Sequence, residues 1–427
     1  MRTITVALIG AGQRGMNYAQ YALQNPHEMR IMAVAEPVAE RRNACKELHG
    51  LAEDRCFAHW DDLFSGPKLA DAVMICTQDK QHYEPTMKAL EAGYHVLLEK
   101  PMSPSAEECI RMGEMAARTS RVFSICHVLR YTNFFRAIKQ LLEQGAIGKL
   151  MSITHNENVG YWHQAHSFVR GNWRRKDESS PMILAKSCHD LDILQWLAGA
   201  DCTRVSSFGS LSHFTSDNAP EGAPQRCLDG CPAAADCLYY APKQYLTDNL
   251  RWPTSAISDD LSYEGRYKAL QEGPYGRCVY HCDNDVVDHQ VVNLEFANEV
   301  TAAFTMSAFT RDVSRTIKLM GSKGEIRGAM EKNEIEVIHF GTGKVERISF
   351  EDLGGHVGHG GGDWGLMRDF LGMIREDGKR TSLTSAEHSV QSHLMAFAAE
   401  QSRVEGTSVK LQEFVYLLRG KPSSAAT

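Results

Sequence analysis

The sequence predicts an α/β protein with two sheets, a parallel one at the N-terminus and an open, largely antiparallel one further along the chain. Over residues 1–126, short apolar runs alternate with helical patterns, which is typical of strand–helix–strand units. Over residues 300–308, apolar and polar positions alternate, as in a strand covered on one face. The 427 residues are enough for two or three domains.

Individual elements follow from the local patterns. Five strands of the parallel sheet are predicted at residues 4–9, 31–35, 72–76, 95–98 and 122–126, which are rich in Val, Ile and Leu. Residues 127–427 are predicted to form an α+β domain, with a Cys-rich loop insertion at about 215–285 and later strands at 300–308, 316–320, 325–327, 334–340 and 345–350. Two helices follow, at residues 363–376 and after a cap at Thr384.

Composition excludes several classes of protein. The 46 Lys and Arg against 53 Asp and Glu give a net charge of −7, which argues against nucleic acid as a partner. No run approaches the roughly 18 to 20 apolar residues that cross a bilayer, so no membrane span is expected. Twelve cysteines without an export signal indicate a reducing, cytoplasmic location without structural disulfides.

A glycine motif follows the first predicted strand and precedes a predicted helix. Gly10, Gly12 and Gly15 form GxGxxG, with Gln13 and Arg14 between the last two glycines. The first glycine permits a tight turn, the second lets the backbone approach a pyrophosphate, and the third allows close packing of helix on strand. The motif predicts a dinucleotide site.

The choice between NAD and NADP depends on the end of the second strand. Glu36 lies there, where a carboxylate accepts hydrogen bonds from the adenosine ribose and repels a 2'-phosphate. Arg41 and Arg42 are candidates for binding that phosphate, but they lie several residues beyond the strand. The sequence therefore favours NAD.

A further pattern extends over the rest of the first domain. It runs from Cys76-Thr77-Gln78 through His82 and Ala92-Gly93 to Glu99-Lys100-Pro101. The sequence resembles the Gfo/Idh/MocA family of oxidoreductases, closely in the N-terminal domain and more loosely beyond it. The resemblance implies a Rossmann dinucleotide-binding domain followed by an α/β domain whose open sheet mediates homodimers or homotetramers. It also implies hydride transfer at a secondary alcohol of a sugar or cyclitol. The cofactor-binding residues predicted in all are Gly10, Gly12, Gln13, Arg14, Gly15, Glu36, Thr77, Gln78, His82, Glu99 and Lys100.

Three residues are candidates for catalysis. By the resemblance Lys100 lies beside the nicotinamide and the substrate hydroxyl, after a strand and often before a cis proline bond; an ammonium there stabilises a developing alkoxide. His189 resembles the family's catalytic histidine and is a natural general base. Lys186, His189 and Asp190 are spaced to share one face if the stretch is helical. Family members carry Asp and Gly where this chain has Ala185 and Ser187, so Lys186 is a candidate second cation in place of the acid.

Residues that suit a polyhydroxylated ligand are concentrated between positions 157 and 174. Aromatic rings with Arg, Asn and His donors provide an apolar face and directed hydrogen bonds, although a solvated edge with aromatic anchors would have the same composition. The substrate-binding candidates are Arg130, Tyr131, Glu157, Tyr161, His163, His166, Arg170, Trp173, Arg174, Asp190, His289 and His359. Asp363 is expected to cap the helix after His359.

The insertion carries a cysteine cluster. Cys227, Cys231, Cys237 and Cys282, with Cys278 as an alternative, are candidate ligands of a structural zinc ion that would hold a loop-rich segment together. Their spacings differ from the common CxxC pairs. An iron–sulfur cluster and free thiols remain open alternatives.

Together these patterns predict an NAD-dependent oxidoreductase that transfers hydride at a secondary hydroxyl of a sugar, glycoside or cyclitol. A redox-neutral glycoside hydrolase with retained NAD is the alternative, in which oxidation, elimination, hydration and reduction follow one another. A third hypothesis is a non-catalytic regulator that senses NAD.

Overall fold

The first sheet is parallel and six-stranded. The computed structural model describes residues 2–350, 358–379 and 382–420. The strand order is β3-β2-β1-β4-β5-β6. The strands are β1 (Ile4–Ile9), β2 (Met29–Ala35), β3 (Cys56–Phe57), β4 (Ala72–Ile75), β5 (His95–Leu98) and β6 (Phe123–Ile125). The helices between them are α1 (Gln13–Gln24), α2 (Ala39–His49), α3 (Tyr83–Glu91) and α4 (Ala106–Thr119). The five strands predicted from apolar runs are present, and only the short edge strand β3 was missed.

The second sheet has nine strands in the order β14-β13-β12-β11-β7-β10-β9-β8-β15. Its pairs are antiparallel except for the parallel central pair of β7 with β10. The strands are β7 (Leu150–Asn158), β8 (Cys202–Ser210), β9 (His289–Phe296), β10 (Thr301–Ser307), β11 (Ser314–Gly321), β12 (Gly324–Ala329), β13 (Glu334–His339), β14 (Val345–Ser349) and β15 (Val409–Lys410). The expected mostly antiparallel sheet is confirmed.

Short helices surround the second sheet and the insertion. They are α5 (Asn133–Glu143), α6 (Tyr161–His163), α7 (Met182–Ala185), α8 (Cys188–Ala198), α9 (Ala241–Tyr245) and α10 (Tyr263–Glu272). A π-helical stretch, Gln164–Arg170, continues α6. None of the helices in the described ranges is both long and apolar enough to cross a membrane.

The helices at the end of the chain return to the first sheet. They are α11 (Gly362–Arg375), α12 (Ala386–Glu405) and α13 (Leu411–Gly420). Leu366 and Phe370 of α11 share a core with Ile4 and Val6 of β1, because the apolar face of the helix covers one side of the parallel sheet. The predicted cap at Thr384 is wrong: Ser385 precedes α12.

Candidate active site

The glycine motif forms the turn between β1 and α1. Gly10 has φ +88°, and a Cβ there would lie 2.7 Å from the carbonyl oxygen of Cys76. A Cβ on Gly15 would lie 2.0 Å from the carbonyl oxygen of Gly10, whereas one on Gly12 would have no atom within 4 Å. The first and third glycines are thus required by close packing, and the second faces open space. Because no side chain caps α1, this turn fits the pyrophosphate of a dinucleotide.

Glu36 lies beside this turn at the end of β2 and is only 5% exposed. Its carboxylate accepts hydrogen bonds from the backbone N–H of Ala11 at 2.8 Å and of Val38 at 3.0 Å. Arg42 donates to the carbonyl oxygen of Glu36 at 2.6 Å, while Arg41 is exposed. A fixed negative charge therefore stands at this end of the sheet, and the nearer guanidinium is bonded to the backbone.

His82 joins the loops that follow β4 and β5. Its buried ring lies between the carbonyl oxygens of Pro101, 2.6 Å from Nδ1, and Thr77, 3.1 Å from Nε2. Gln78 is exposed beside it, and the Lys100–Pro101 bond is cis. His82 thus positions the loop that carries Lys100.

Arg14 links the glycine turn to Glu99 and to α11. Its Nε donates to Glu99 at 2.8 Å, and its two Nη atoms donate to Asp363 at 2.9 and 3.1 Å. Burial opposes ionisation of Glu99, but the charges of Arg14 and Lys100 outweigh it and hold the pKa of this carboxyl below its ordinary value. Gln13 stands exposed at the start of α1. The predicted cap role of Asp363 is wrong, because Gly361 is the N-cap of α11.

Lys100 reaches from the first sheet to the segment that carries the other catalytic candidates. Its Nζ donates to the carbonyl oxygen of Ala185 at 2.9 Å. The helix expected to present Lys186, His189 and Asp190 together is interrupted: α7 ends at Ala185 and α8 begins at Cys188. Lys186 lies in the break, while His189 and Asp190 lie in the first turn of α8. Lys100, Lys186 and His189 are nevertheless brought to one region.

A buried chain of charges supports this region. Lys186 pairs with Glu157 of β7 at 3.1 Å, and Arg315 of β11 contacts Glu157 at 2.7 Å and Asp190 at 2.8 Å. The second oxygen contact of Arg315 with Asp190 is 3.2 Å, and His155 lies 2.8 Å from Asp190. Sequence reasoning missed Arg315 and His155, since their partners are distant along the chain. Glu157 and Asp190, expected to contact substrate, instead pair with protein cations.

Burial acts in opposite directions on Lys186 and Glu157. It lowers the pKa of the Lys186 ammonium, and Arg315 and Lys100 add to this while Glu157 opposes it. It raises the pKa of the Glu157 carboxyl, with a further contribution from Asp190 and opposition from Arg315 and Lys186. Burial raises and Arg315 lowers the pKa of Asp190, and the balance holds it well below its ordinary value. The proton affinities of Lys186 and Glu157 are thus brought closer together.

A row of three imidazole rings includes His189. The rings of His189 and His127 meet edge to face with centroids 5.7 Å apart, and those of His127 and His393 are tilted with centroids 5.4 Å apart. His393 accepts a hydrogen bond from the backbone N–H of Met102 at 2.9 Å and donates from Nδ1 to the carbonyl oxygen of Ser389 at 2.6 Å. The row therefore connects the catalytic candidate on α8 with the loop of Lys100.

Two predicted substrate residues near this row of rings are bonded to carboxylates of the protein instead. Arg130 forms a bidentate pair with Asp192, at 2.6 and 2.8 Å, and is 3% exposed. The hydroxyl of Tyr131 donates to Asp369 at 2.8 Å. The structure places both side chains in the packing between the domains.

The aromatic stretch divides between the site and the insertion. His163 lies near Lys186 and Lys100; burial, and then those charges with His166, lower the pKa of its ring. The other candidates contact protein groups: Tyr161 with Tyr239, His166 with Tyr245 and Tyr275, Trp173 with Asp79, Arg174 with Asp283, and His289 with Asp288. His359 lies in the turn Gly358–Gly361, and its side chain is outside the described residues. Among those of these side chains that the structure describes, His163 is the one brought to the Lys100 region.

Four cysteines of the insertion line one small cavity of about 10 Å³ together with Arg170: Cys227, Cys231, Cys237 and Cys278. Cys282 is not among the lining residues; its thiol donates to the carbonyl oxygen of Cys278. Arg170 therefore lies at this cavity, and Cys278 takes the place predicted for Cys282. Across the described ranges, no three His, Cys, Asp or Glu side chains stand in the arrangement of a formed metal site.

Comparisons with known proteins find sequence relatives and a solved structure of similar fold. YteT of Bacillus subtilis (strain 168), named as an oxidoreductase, is 25% identical over 323 residues, covering 71% of this chain and 72% of that protein. The 2,7-anhydro-N-acetylneuraminate hydratase of Escherichia coli (strain K12) is 28% identical over 212 residues, covering 49% of this chain and 54% of that protein. A levoglucosan dehydrogenase solved with NADH and L-sorbose has the same fold, with 19% identity, a TM-score of 0.73, and coverage of 96% of this chain and 99% of that chain.

Family models cover most of the chain. Residues 4–127 match the NAD-binding Rossmann fold of the oxidoreductase family, and residues 139–411 match its C-terminal α/β domain. The two matches follow the two sheets and meet near the entry to the second domain. The chain belongs to the Gfo/Idh/MocA oxidoreductase family.

Proposed function

We propose that this protein is an NAD-dependent dehydrogenase or reductase acting at a secondary hydroxyl of a sugar, glycoside or cyclitol. The observation that carries the proposal is the position of Lys100. Its ammonium leaves the edge of the parallel sheet where the glycine turn lies and bonds to Ala185, next to Lys186 and close in sequence to His189. Ligands of such sheets bind at this edge, so substrate and nicotinamide would meet there.

The two lysines are suited to different roles. Lys186 is paired with the carboxylate of Glu157, and its charge is already balanced. Lys100 donates instead to a neutral carbonyl oxygen, which a substrate oxygen can replace. An ammonium whose partner is uncharged stabilises a developing alkoxide more strongly. We therefore assign Lys100 to the reacting oxygen and Lys186 to positioning and proton exchange with Glu157.

The remaining chemistry is acid–base. Bound NAD⁺ would accept the hydride from the substrate carbon. His189 would take the hydroxyl proton, because a neutral imidazole accepts a proton near neutral pH. Lys100 would hold the oxygen as negative charge develops on it. In the reverse direction the same two residues would return the proton and polarise the carbonyl.

The cofactor preference rests on Glu36. Its buried carboxylate would receive the ribose hydroxyls and repel a 2'-phosphate, and Arg42 is bonded to the backbone rather than directed toward a phosphate. The substrate class rests on His163 with Trp162 and Trp252, whose rings lie 5.7 and 4.9 Å from it and offer apolar faces to a sugar. The structurally similar levoglucosan dehydrogenase is named for a sugar substrate, which supports the same class. We further propose a cytoplasmic homodimer or homotetramer.

The test measures hydride transfer directly. The purified chain is mixed with NAD⁺ and a panel of sugars, glycosides and cyclitols, and NADH formation is followed by absorbance in a stopped-flow instrument. Lys100→Met should slow the step about 10²- to 10³-fold while NAD affinity changes little, because the lost interaction forms in the transition state. Normal turnover in that variant would refute the assignment.

One relative favours a second candidate, a redox-neutral reaction with retained NAD. The hydratase from Escherichia coli is named for adding water, a reaction without net oxidation. On this route, oxidation of a ring hydroxyl acidifies the neighbouring C–H, elimination and hydration follow, and reduction restores the cofactor. Mass spectrometry of molecules released on denaturing the fresh protein separates the two. Near-stoichiometric NAD, with substrate conversion and no net NADH, supports the second route.

A further inference from the structure

The cysteine cavity lies outside the proposed hydride-transfer site. Cys227 and Cys278 flank a short antiparallel bridge between Arg226 and Arg277, in which the N–H of Cys227 donates to Gly276 and that of Cys278 donates to Gln225, both at 2.9 Å. Cys231 and Cys237 follow Cys227 on consecutive turns. Backbone hydrogen bonds thus bring together four thiols from two parts of the chain that are about 40 residues apart.

Arg170 brings an unbalanced positive charge to the same cavity. It is fully buried, and its Nε and Nη2 donate to the carbonyl oxygens of Arg277 at 2.8 Å and Tyr239 at 2.6 Å. Its Nη1 has no hydrogen-bond partner, and its side-chain hydrogen bonds within the described ranges go to carbonyl oxygens, the sulfur of Cys227 and the hydroxyl of Tyr245 rather than to a carboxylate. A guanidinium stays charged in proteins, and burial without an opposite charge is costly. The cavity therefore lacks negative charge.

Thiolates bound to a metal ion would supply that charge. The sulfur of Cys227 lies 3.7 Å from Nη2 of Arg170 and 3.5 Å from the backbone nitrogen of Ala241, and it also contacts the carbonyl oxygen of Arg277 at 3.9 Å. The buried guanidinium therefore lies directly against one of the four sulfurs.

We propose that Cys227, Cys231, Cys237 and Cys278 bind one zinc ion, with Arg170 as the buried counter-charge of the centre. Four thiolates with Zn²⁺ carry a net charge of about −2, which the guanidinium partly neutralises. The cavity of about 10 Å³ has room for a single small ion. Because the sulfurs line the cavity without converging on one point, we expect zinc to draw them together by side-chain rotation.

Such a centre explains how the insertion is held together. Its own small core contains Cys227, Ala241, Tyr245 and Leu270. Its regular elements are short, with α9 spanning five residues and α10 ten. A closed tetrathiolate site stabilises segments of this kind, and it takes no part in hydride transfer.

Metal analysis tests the ligand set. The full chain is purified without a metal-affinity resin, and zinc and iron are measured by mass spectrometry with protein concentration. We expect about one zinc per chain, its loss in Cys231→Ser and Cys237→Ser, and its retention in the matched control Cys282→Ser. A metal-free wild-type chain, iron with sulfide, or full zinc in Cys231→Ser would each overturn the proposal.

X-ray absorption spectroscopy of the wild-type chain does not depend on the folding of a variant. Four sulfur neighbours at about 2.3 Å are expected, and nitrogen or oxygen neighbours in place of any sulfur would overturn the ligand set.

The role of Arg170 has its own readout. Zinc release to a colorimetric chelator is followed for wild type, Arg170→Met and Arg170→Lys. We expect release about tenfold faster in the Met variant and close to wild type in the Lys variant, because only the former loses the positive charge. Equal rates in all three proteins would refute the counter-charge. These measurements do not use catalytic activity, so failure of the zinc proposal and failure of the proposed function can be distinguished.

Discussion

Lowering the pH should reduce the free energy of unfolding of the protein through protonation of His393 in the unfolded chain. The neutral ring donates from Nδ1 to Ser389 and accepts at Nε2 from the N–H of Met102. A second ring proton would point at that N–H, so two donors would face each other. Burial, and then the neighbouring His127, lower the pKa of His393 from 6.5 to about 3. The unfolded chain therefore takes up a proton near pH 6.5, and the folded chain does so only near pH 3.

The magnitude follows from proton linkage. The stabilisation by the neutral ring is complete above pH 6.5 and falls as the pH decreases toward 3, because the unfolded state then binds the extra proton. Between pH of about 7.5 and about 5.5, this one group should lower the free energy of unfolding by about 1.4 kcal/mol. Met102 follows Lys100 by two residues, so the same change would loosen the loop of the proposed catalytic lysine.

The assay is urea unfolding at both pH values, followed by circular dichroism. His393→Gln keeps an acceptor for Met102 but does not titrate, so its decrease between the two pH values should be about 1.4 kcal/mol smaller than that of wild type. Other buried histidines, such as His166, titrate equally in wild type and in His393→Gln, so their contributions cancel in the difference. The exposed His59→Gln serves as the matched control and should behave as wild type. Equal pH dependence in wild type and His393→Gln would refute the reasoning.

Three further predictions concern charged groups. Glu36→Ala should reduce the preference for NAD⁺ over NADP⁺ about tenfold, measured as the ratio of kcat/KM values; an unchanged ratio would remove the role of the carboxylate. Glu157→Gln removes the carboxylate partner of the buried Lys186 and leaves Arg315 paired with Asp190 alone, so it should lower the free energy of unfolding by about 3 kcal/mol in urea, whereas the exposed control Glu299→Gln should change it by less than about 1 kcal/mol. Asp363→Asn weakens the pairing of Arg14 beside the glycine turn and should raise the KM for NAD⁺ several-fold without changing the cofactor preference; an unchanged KM would contradict this link.

The parallel sheet could be predicted because its strands are buried on both faces and read as continuous apolar runs. Strand β7 was missed for the opposite reason. It alternates buried positions with more exposed ones, but its buried positions include His155, which is hydrogen-bonded to Asp190, and Glu157, which pairs with Arg315, instead of apolar side chains. Polar side chains at inward positions conceal a period of two from any reading based on hydrophobicity.

The candidate site also contains some residues that the sequence predicts and others that it does not. Local spacing was sufficient for the glycine turn and for Lys100, since these depend on neighbours in sequence. The contacts of Arg315 with Glu157 and of Asp363 with Arg14 join residues more than 150 positions apart, and no local pattern encodes them. The cluster of rings and donors around Arg170 was ambiguous, because the same composition suits a sugar and the packing of an insertion.

Helices α11 and α12, which follow β14 in the chain, hold parts of the candidate site that belong to the first domain. Asp363 of α11 holds Arg14 at the glycine turn, and His393 of α12 holds Met102 beside Lys100. Both contacts are made to segments at one edge of the first sheet; the His393 contact is buried and the Asp363 contact is partly buried. The segments that would hold the cofactor and the reacting oxygen are therefore fixed by residues that follow strands β7 to β14 of the second sheet in the chain. Because those contacts join the first sheet to helices that come after most of the second sheet, formation of the candidate site must be coupled to folding of both domains.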